Sequence, residues 1–445
     1  DNINSNLWRE TWSSLSSSSN HTPINGELGS FYRPDGLLAN SDLKWETTIS
    51  RNLGLDFGFL NNRINGSLEI YWNTTKDLLM AVPVDNTTGY SYQFQNFGKT
   101  SNRGIELSLN FDVINKGDFR FNIGAIYNYN RNKLDELPNA DQYLYSSYWG
   151  SSSLVPTNDY MFVEGKAIGL VRGFVSEGFY TVNDFRYENG QYILKEGIPD
   201  ITKALTATYM HPFNIPNGQT AFPGAAKFRD VNNSGTVDLD DATCLGEVMP
   251  RHTGSFQLNF NYKNFDLSSN FNWTAGGKVY NVAAMINASG QEFDGIGAQR
   301  TSWVADTYKV YNVNSSGDLY AVTDPNELNA LNANAKYHLP YHQSGITSSE
   351  WLEDGSYLRL QTLTLGYTLP HTVLNKIHIE KLRIYLTATN LFTITGYSGI
   401  DPEVNATPTG QSGFYSNLRV FPTLNMDFGT YPRARTFTLG GNITF

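Results

Sequence analysis

The sequence predicts an all-β fold: a long antiparallel sheet that crosses a membrane as the wall of a β-barrel. Three observations predict it. Apolar and polar residues alternate with period two in nine segments, and the last alternating segment ends on the aromatic residue Phe445. The composition is poor in charge and rich in aromatic rings. Period two is the repeat of a strand with one apolar and one polar face.

The composition fits a barrel with lipid outside and a polar interior. Charged residues make up 17% of the 445 residues, against about 25% in a typical soluble domain. Aromatic residues make up 14%, and the mean hydropathy is −0.38. A soluble glycan-binding β protein would share this composition, so composition alone leaves both classes open. The single Cys244 excludes an intramolecular disulfide, and the net charge of −10 argues against nucleic acid or an anionic membrane surface as the main partner.

The alternating segments are about ten residues or longer, which suits tilted membrane-spanning strands better than globular ones. The clearest runs over 118–130, where Phe119, Phe121 and Ile123 point one way and Arg120 and Asn122 the other. The nine segments are 45–59, 63–74, 101–113, 118–130, 254–262, 265–273, 358–369, 381–391 and 433–445.

The connections between these segments alternate in length. Short turns lie at 61–62, 115–117, 263–264 and in the stretch 370–380. A loop at 79–95 and the large loops 131–250, 274–354 and 392–432 separate them. Outer-membrane barrels have short periplasmic turns and long external loops. We therefore expect residues 1–42 to be an extracellular loop segment, residues 43–445 to be barrel, and the C-terminus to face the periplasm.

The last segment is expected to be the closing strand of a barrel. Its apolar residues Phe437, Leu439, Ile443 and Phe445 share one face, and a terminal Phe strand serves as the assembly signal of outer-membrane barrels. A bacterial single-chain barrel has an even number of strands, whereas this chain offers nine. We therefore expect the chain to be the C-terminal part of a larger barrel.

Motifs spread along most of the chain resemble those of one family. They are LKWE at 43–46, NFGK at 96–99, NRGIEL at 102–107, EGKAIG at 164–169, PG at 223–224, FRDVN at 228–232, SYLRL at 356–360, LGYTLP at 365–370, NLF at 390–392 and DPE at 401–403. In this order the set resembles the SusC/RagA family of TonB-dependent outer-membrane transporters.

The resemblance implies a 22-stranded plugged barrel in a Gram-negative outer membrane, of which this chain supplies about nine strands. It implies active import of oligosaccharides, or of peptides, with a SusD-like surface lipoprotein as external lid. The TonB complex would act through an N-terminal plug and barrel portion that is absent from this sequence. A soluble glycan-binding or glycan-cleaving protein and a passive porin remain the alternatives.

One loop, 230–241, has the spacing of an EF-hand calcium loop. Oxygen donors fall at loop positions 1, 3, 5, 7, 9 and 12, with Gly235 at position 6. The predicted ligands are Asp230, Asn232, Ser234, Thr236 through its carbonyl, Asp238 and Asp241. Ser replaces the usual Asp at position 5, and Asp replaces Glu at position 12. A bound Ca²⁺ that braces the long loop and a metal-free polar turn with Asx hydrogen bonds are both consistent with this sequence.

Aromatic residues in the long loops have two interpretations: stacking on sugar rings, or packing inside the loops. They are Tyr143, Tyr145, Tyr148, Trp149, Phe179, Tyr180, Trp303 and Trp351. Packing is the more common role of such residues, and the sequence assigns none of them to a substrate. No Ser-His-Asp spacing, phosphate-binding loop or Cys-x-x-Cys motif is present, so the sequence predicts no enzyme.

Overall fold

The structure is a computed structural model. It describes residues 12–15, 23–24, 27–28, 31–34, 37–90, 92–96, 98–137, 142–146, 155–206, 211–289, 301–339, 345–374, 379–404 and 424–445. For the described residues up to position 37, the structure describes the backbone and not the side chains. None of the described helices is both long and apolar enough to cross a membrane.

One long antiparallel sheet of ten strands dominates the described structure. Each strand from β3 onward pairs with its neighbour along the chain. The strands are β1 (Thr47–Ile49), β2 (Asn52–Phe59), β3 (Ile64–Lys76), β4 (Lys99–Lys116), β5 (Phe119–Glu136), β6 (His252–Tyr262), β7 (Phe265–Ala275), β8 (Tyr357–Thr368), β9 (Lys381–Thr395) and β10 (Thr436–Thr444).

Strands β1 and β2 occupy one position in the sheet, since both pair with β3. Ile49 lies opposite Thr74, and Asn52 lies opposite Tyr71, so the register continues unbroken through Arg51. The two strands together correspond to the predicted segment 45–59. The other eight predicted segments coincide with β3 to β10, so all nine lie in this sheet.

The register matches apolar residues across neighbouring strands. Leu386 of β9 lies opposite Leu365 of β8 and Leu439 of β10. Phe256 and Phe271 stack with ring centroids 4.5 Å apart. Leu53 is 65% exposed and Leu439 76% exposed, which shows that this face is apolar and uncovered. We call it the apolar face, and the opposite one the polar face.

The two ends of the sheet differ in their connections. At one end, here called the short-turn end, Asn61 and Asn62 adopt positive φ between β2 and β3. Gly117 and Lys263, also at positive φ, turn the chain between β4 and β5 and between β6 and β7. Left-handed backbone of this kind reverses a strand within two or three residues. The opposite end carries the large loops and is called the long-loop end.

Several strands run further than the alternation predicts. β4 and β5 each have 18 residues, and their pairing continues through Arg103 opposite Arg131 to Lys99 opposite Glu136. Backbone hydrogen bonding does not need apolar side chains, so the ladder continues after the apolar pattern stops. The beginning of the predicted loop 131–250 is therefore strand.

The described loop residues at the long-loop end form two large packed cores and a small cluster of Val279, Tyr397 and Val404. One is centred on Phe174, Tyr180 and Phe228. The other joins Leu134 at the tip of β5 to Tyr160 and several further buried residues. Short strands run over Trp12–Leu15, Pro23–Ile24, Glu27–Leu28, Phe31–Pro34, Leu37–Leu38, Leu79–Pro83, Tyr92–Asn96, Gln142–Tyr145, Tyr160–Val163, Leu170–Gly173, Ser176–Phe179, Phe185–Glu188, Gln191–Leu194, Asp200–Ile201, Ala226–Phe228, Thr236–Val237, Thr243–Glu247, Lys278–Asn281, Tyr311–Val313, Leu319–Ala321, Leu352–Asp354 and Met426–Asp427. The helices are Val282–Ser289, Thr301–Asp306, Pro325–Leu331 and His371–Leu374, with 3-10 turns at Asn86–Thr88, Val182–Asp184, Leu239–Asp241 and Ser349–Trp351.

A buried arginine ties the last large loop to the sheet. The Arg359 side chain on β8 is 3% exposed and donates to Asp401 at 2.5 Å and to Glu403 at 2.9 Å. Glu403 also pairs with Arg433 at 2.5 Å, just before β10. A guanidinium this deeply buried is retained because two carboxylates neutralise it.

A second ion pair crosses a glycine on the polar face. Arg383 of β9 donates to both oxygens of Asp266 on β7, at 2.9 and 2.5 Å. Between them lies Gly366 of β8, where a Cβ would come within 2.5 Å of Arg383 Nη2 and of Asp266 Oδ1. The ion pair between Arg383 and Asp266 therefore requires glycine at position 366, because any side chain there would occupy its space.

We predict that Gly366→Ala destabilises the protein by about 1–2 kcal/mol, because it separates a bidentate, partly buried pair. The free energy of unfolding of the full-length protein in urea, read from heat-modifiable gel mobility, measures this. Gly441→Ala on β10 is the matched control, since its Cβ would meet no atom closer than 3.9 Å. Equal unfolding energies for the two variants would contradict the prediction.

We predict that Arg359→Met loosens the segment around Asp401 and Glu403 by about 3–5 kcal/mol, because two carboxylates lose their cation inside the fold. Hydrogen exchange of residues 396–404 measures the local opening. Arg186→Met is the control: its pair with Glu188 is 3.6 Å long and exposed, so its loss is expected to change little. The idea fails if Arg359→Met leaves exchange in this segment unchanged.

Candidate functional site

A polar cavity lies on the polar face of the sheet, at the level where β2 to β5 run side by side. It is a wide, open depression and not an enclosed space, with a volume of about 510 Å³. Its lining alternates along each strand as a strand face must, since only every second residue reaches it. The lining residues are Ser50, Asn52, Glu69, Tyr71, Asn73, Asn102, Glu106 and Asn130. The cavity therefore collects amides, hydroxyls and two carboxylates, without a lysine or arginine.

Two glutamates lie side by side in this cavity. Glu69 of β3 and Glu106 of β4 are directly opposite each other in the register. Asn52 donates to Glu69 at 2.8 Å. Like charges directly opposite each other cost stability in a sheet, so the pair concentrates negative potential at this point of the polar face.

A tyrosine that crosses a glycine closes one side of the cavity. The Tyr71 hydroxyl donates to the Asn130 side chain two strands away, at 3.0 Å. Its ring lies over Gly104 of β4, where a Cβ would collide with the Tyr71 hydroxyl. The cavity wall is thus fixed by packing as well as by the ladder. Acceptor oxygens and amide groups in this arrangement suit a polar solute rich in hydroxyl or N–H donors.

The acidic loop 230–241 folds around its own carboxylates. Asp230 accepts hydrogen bonds from the backbone N–H groups of Ser234 at 3.1 Å and Gly235 at 2.7 Å. Asn232 accepts from the Ser234 N–H at 2.9 Å. Asp238 caps the turn Leu239–Asp241 by accepting from the Asp240 N–H at 2.9 Å. The predicted ligands are therefore brought to one short turn.

Asp241 is fully buried and organises the loop. One of its oxygens accepts from the N–H groups of Val231 at 2.7 Å and Asn232 at 3.2 Å, and the other from Asp238 at 2.9 Å. Three backbone donors satisfy most of the hydrogen-bonding capacity of this carboxylate without a metal. The Asx hydrogen bonds expected of a polar turn are thus present.

The fit of this loop to a calcium ion is mixed. The donor set is all oxygen, which Ca²⁺ prefers. Against this, the Ser234 hydroxyl donates to the Thr236 carbonyl at 2.8 Å, so two predicted ligands bond to each other. Within the described ranges no group of three or more His, Cys, Asp or Glu side chains is placed to hold a metal ion.

Most described loop aromatics are buried in the loop cores. Tyr145, Tyr180 and Trp351 are each at most 3% exposed. Burial raises the pKa of Tyr180, whose hydroxyl stays protonated and donates to the Pro199 carbonyl at 2.6 Å. Phe179 packs edge-on against Tyr308. These rings stabilise the loops and do not offer a free surface for a sugar.

The other predicted residues are four further loop aromatics and the apolar residues of the C-terminal strand. Tyr148 and Trp149 lie outside the described residues, and the side chains of Tyr143 and Trp303 are not described. On β10, Phe437, Leu439 and Ile443 lie on the apolar face, with exposed fractions of 65%, 76% and 53%. Phe445 follows directly, at 86%. Their role as an assembly signal stays a prediction.

Sequence reasoning missed the cavity. Its glutamates are 37 positions apart and are joined only by the register of β3 with β4. The available signal was the polar half of each alternating segment, which places Glu69 and Glu106 on the polar faces of two predicted strands.

Comparison with known proteins places the chain in a family. The family model for the TonB-dependent receptor-like β-barrel matches residues 10–391. TonB-dependent receptor P3 of Formosa agariphila is 30% identical over 407 residues, which is 92% of this chain and 35% of the relative. TonB-dependent receptor SusC of Bacteroides thetaiotaomicron is 27% identical over 414 residues, which is 91% of this chain and 32% of the relative. The chain thus spans about a third of the length of these relatives.

A solved structure has the same fold. The RagAB peptide transporter superposes with a TM-score of 0.65 at 20% identity, over 99% of this chain and 39% of that chain. The matching model covers most of the sequence, and the large antiparallel sheet agrees with it. The chain therefore belongs to the TonB-dependent receptor β-barrel family.

Proposed function

We propose that this chain is the C-terminal part of the barrel of an outer-membrane importer of the SusC/RagA type. The observation that carries the proposal is family membership together with a sheet that has one uncovered apolar face and one polar face. The apolar face would contact lipid and the polar face the interior of a 22-stranded plugged barrel. The long-loop end would then face the outside of the cell and the short-turn end the periplasm.

The proposed cargo is an oligosaccharide, with peptides as the second class. The family resemblance implies an oligosaccharide, and the amide and carboxylate acceptors in the polar cavity suit a solute with many donor groups. The fold match to a transporter described as a peptide transporter is the reason to keep peptides in the comparison. Neither observation identifies a particular molecule.

The proposed machinery includes parts outside this sequence. A SusD-like surface lipoprotein would cover the long-loop end, and a plug and further barrel strands would come from the N-terminal portion of the same transporter. The TonB complex would pull on that plug to open a path. We propose that the parts of 131–250, 274–354 and 392–432 that follow the ends of β5, β7 and β9 supply the external contacts.

A deletion strain tests the transport proposal. We expect loss of growth on individual soluble oligosaccharides, or on a peptide digest of casein, as sole carbon source, and restoration by the full-length gene. Uptake of the same labelled solute should stop in a strain that lacks TonB, since active import needs the inner-membrane proton gradient.

The rival functions give different results in the same strains. A passive porin would keep its uptake without TonB. A soluble glycan-binding protein would leave the membrane fraction in carbonate and would show no heat-modifiable mobility. Either result would remove the proposal of active import.

We also propose that loop 230–241 binds a structural Ca²⁺ through Asp230, Asn232, Ser234, Thr236, Asp238 and Asp241. The convergence of these oxygens on one turn supports it, and the ion would brace the loops against the sheet. It would supply no catalytic chemistry, because the family match is to transporters and not to enzymes.

Calcium titration of the full-length protein by isothermal calorimetry tests the loop. We expect saturable binding that Asp230→Asn weakens by at least tenfold, because a hard cation loses a charged ligand. Asp318→Asn is the matched control, since Asp318 closes a different exposed turn with Asn314. Absence of binding to the wild-type protein would leave the metal-free polar turn as the correct interpretation.

A further inference from the structure

Three arginines lie in a row on the apolar face near the long-loop end. Arg131 of β5 lies directly opposite Arg103 of β4, and Arg103 lies opposite Trp72 of β3. The backbone N–H of Trp72 donates to the backbone carbonyl of Arg51 at 3.0 Å. Arg51 therefore lies beside Trp72, on the side away from Arg103. Arg51, Arg103 and Arg131 are called the arginine row. All three side chains are exposed.

The face on which the row lies follows from its neighbours. Ser50, Asn102 and Asn130, each one position before an arginine, line the cavity on the polar face. Successive residues of a strand point to opposite faces, so the arginines point away from the cavity. Ile105, two positions after Arg103, is 38% exposed on that same apolar face.

The row carries positive charge for which the described residues supply no counter-charge. Among the described residues, none of the three arginines forms an ion pair or a side-chain hydrogen bond, whereas the neighbouring Lys133 and Lys99 pair with Asp135 at 3.4 Å and Glu136 at 3.1 Å. Two like charges directly opposite each other on adjacent strands destabilise a sheet. An anion from outside the chain would relieve the repulsion between Arg103 and Arg131.

The height of the row matches the edge of a bilayer. On β5 the apolar face runs from Phe119 to Tyr129 before it reaches Arg131. Ten residues at about 3.3 Å each, tilted by about 40°, span roughly 25 Å, which is the height of the apolar band of an outer-membrane barrel. The arginine row lies one step beyond that band, at the level of lipid headgroups.

Aromatic residues mark the same level. Trp72 lies within the row, and Trp273 stacks on Tyr127 with centroids 6.1 Å apart, two positions below Tyr129. Trp and Tyr collect at membrane–water interfaces because their rings have an apolar body and a polar edge. The arginines therefore face a headgroup with acyl chains directly below it.

We propose that the arginine row binds the phosphate group of an anionic lipid in the outer leaflet. Guanidinium groups donate paired hydrogen bonds to phosphate and are only weakly hydrated. The net charge of −10 does not oppose this, because the ten strands of the sheet contain ten Lys and Arg against seven Asp and Glu, so the negative excess lies outside them. The proposal rests on the outer-membrane placement proposed above, and it concerns lipid contact and not transport.

Native mass spectrometry of the full-length transporter tests the site. The probes are phosphatidic acid and phosphatidylcholine with identical acyl chains. We expect the wild-type protein to retain phosphatidic acid in preference. The triple variant R51Q/R103Q/R131Q should weaken that binding on the order of a hundredfold, at about fivefold per arginine.

Two variants control for folding and for unspecific charge. Arg120→Gln lies on the same strand as Arg131, but on the polar face and near the short-turn end, and should leave lipid binding unchanged. The triple lysine variant keeps the charge without the planar fork and should bind phosphatidic acid more weakly than the wild type but more tightly than the glutamine variant. Heat-modifiable mobility and recovery in the membrane fraction show, for every variant, that the barrel is assembled, independently of lipid binding.

Three outcomes would overturn the proposal. Equal retention of the two lipids by the wild-type protein would remove the phosphate specificity. Displacement of phosphatidic acid by millimolar inorganic phosphate would assign the row to a free anion and not to a lipid. Unchanged lipid binding in the assembled triple glutamine variant would show that the row is not the lipid site. Loss of a co-purifying protein from that variant would point to a protein as the partner of the row instead.

Discussion

The antiparallel register, which shifts only at local bulges in β4, β5, β8 and β9, is the constraint on which the other features depend. The side-chain repeat of a strand is two, so a slip of one residue between any two strands would move all apolar residues of one strand to the polar face. The register instead matches Leu365 with Leu386 and Glu69 with Glu106, so that apolar and polar residues keep to opposite faces between the bulges. The cavity, the ion pairs and the arginine row are all consequences of this alignment.

Glycines let the faces carry large side chains without disturbing the register. Tyr71 crosses Gly104, Arg383 crosses Gly366, and Trp273 crosses Gly254 to reach Tyr127. In each case a long side chain of one strand lies over a glycine of the next and contacts a residue on the strand beyond. Three strands are thereby linked laterally in addition to their backbone hydrogen bonds, at the cost of glycines inside strands, which weaken a sheet locally.

The sequence predicted the strands well because alternation is local. The short turns were also predictable, since Asn61, Asn62 and Gly117 are residue types that accept left-handed backbone. The ends of the long strands were not, because Lys99 and Thr100 of β4, and Arg131 and its neighbours of β5, continue the ladder without any apolar pattern. The carboxylate pair of the cavity and the Arg359 cluster depend on partners 37 and 42 positions away, which no local rule connects. The sequence indicated that packing is the more common role of loop aromatics, but not which of them are buried. Burial of Tyr180 depends on a loop core that forms from distant segments.

The continuation of β4 and β5 past the apolar band has a mechanical consequence. Leu134, near the tip of β5, is 3% exposed within a loop core, and its backbone exchanges hydrogen bonds with Lys166 and Gly165 at 2.8 Å each. A paired ribbon resists bending far more than a flexible connection does. The loop segments bonded to it at Lys166 and Gly165 are therefore held at a fixed height above the apolar band.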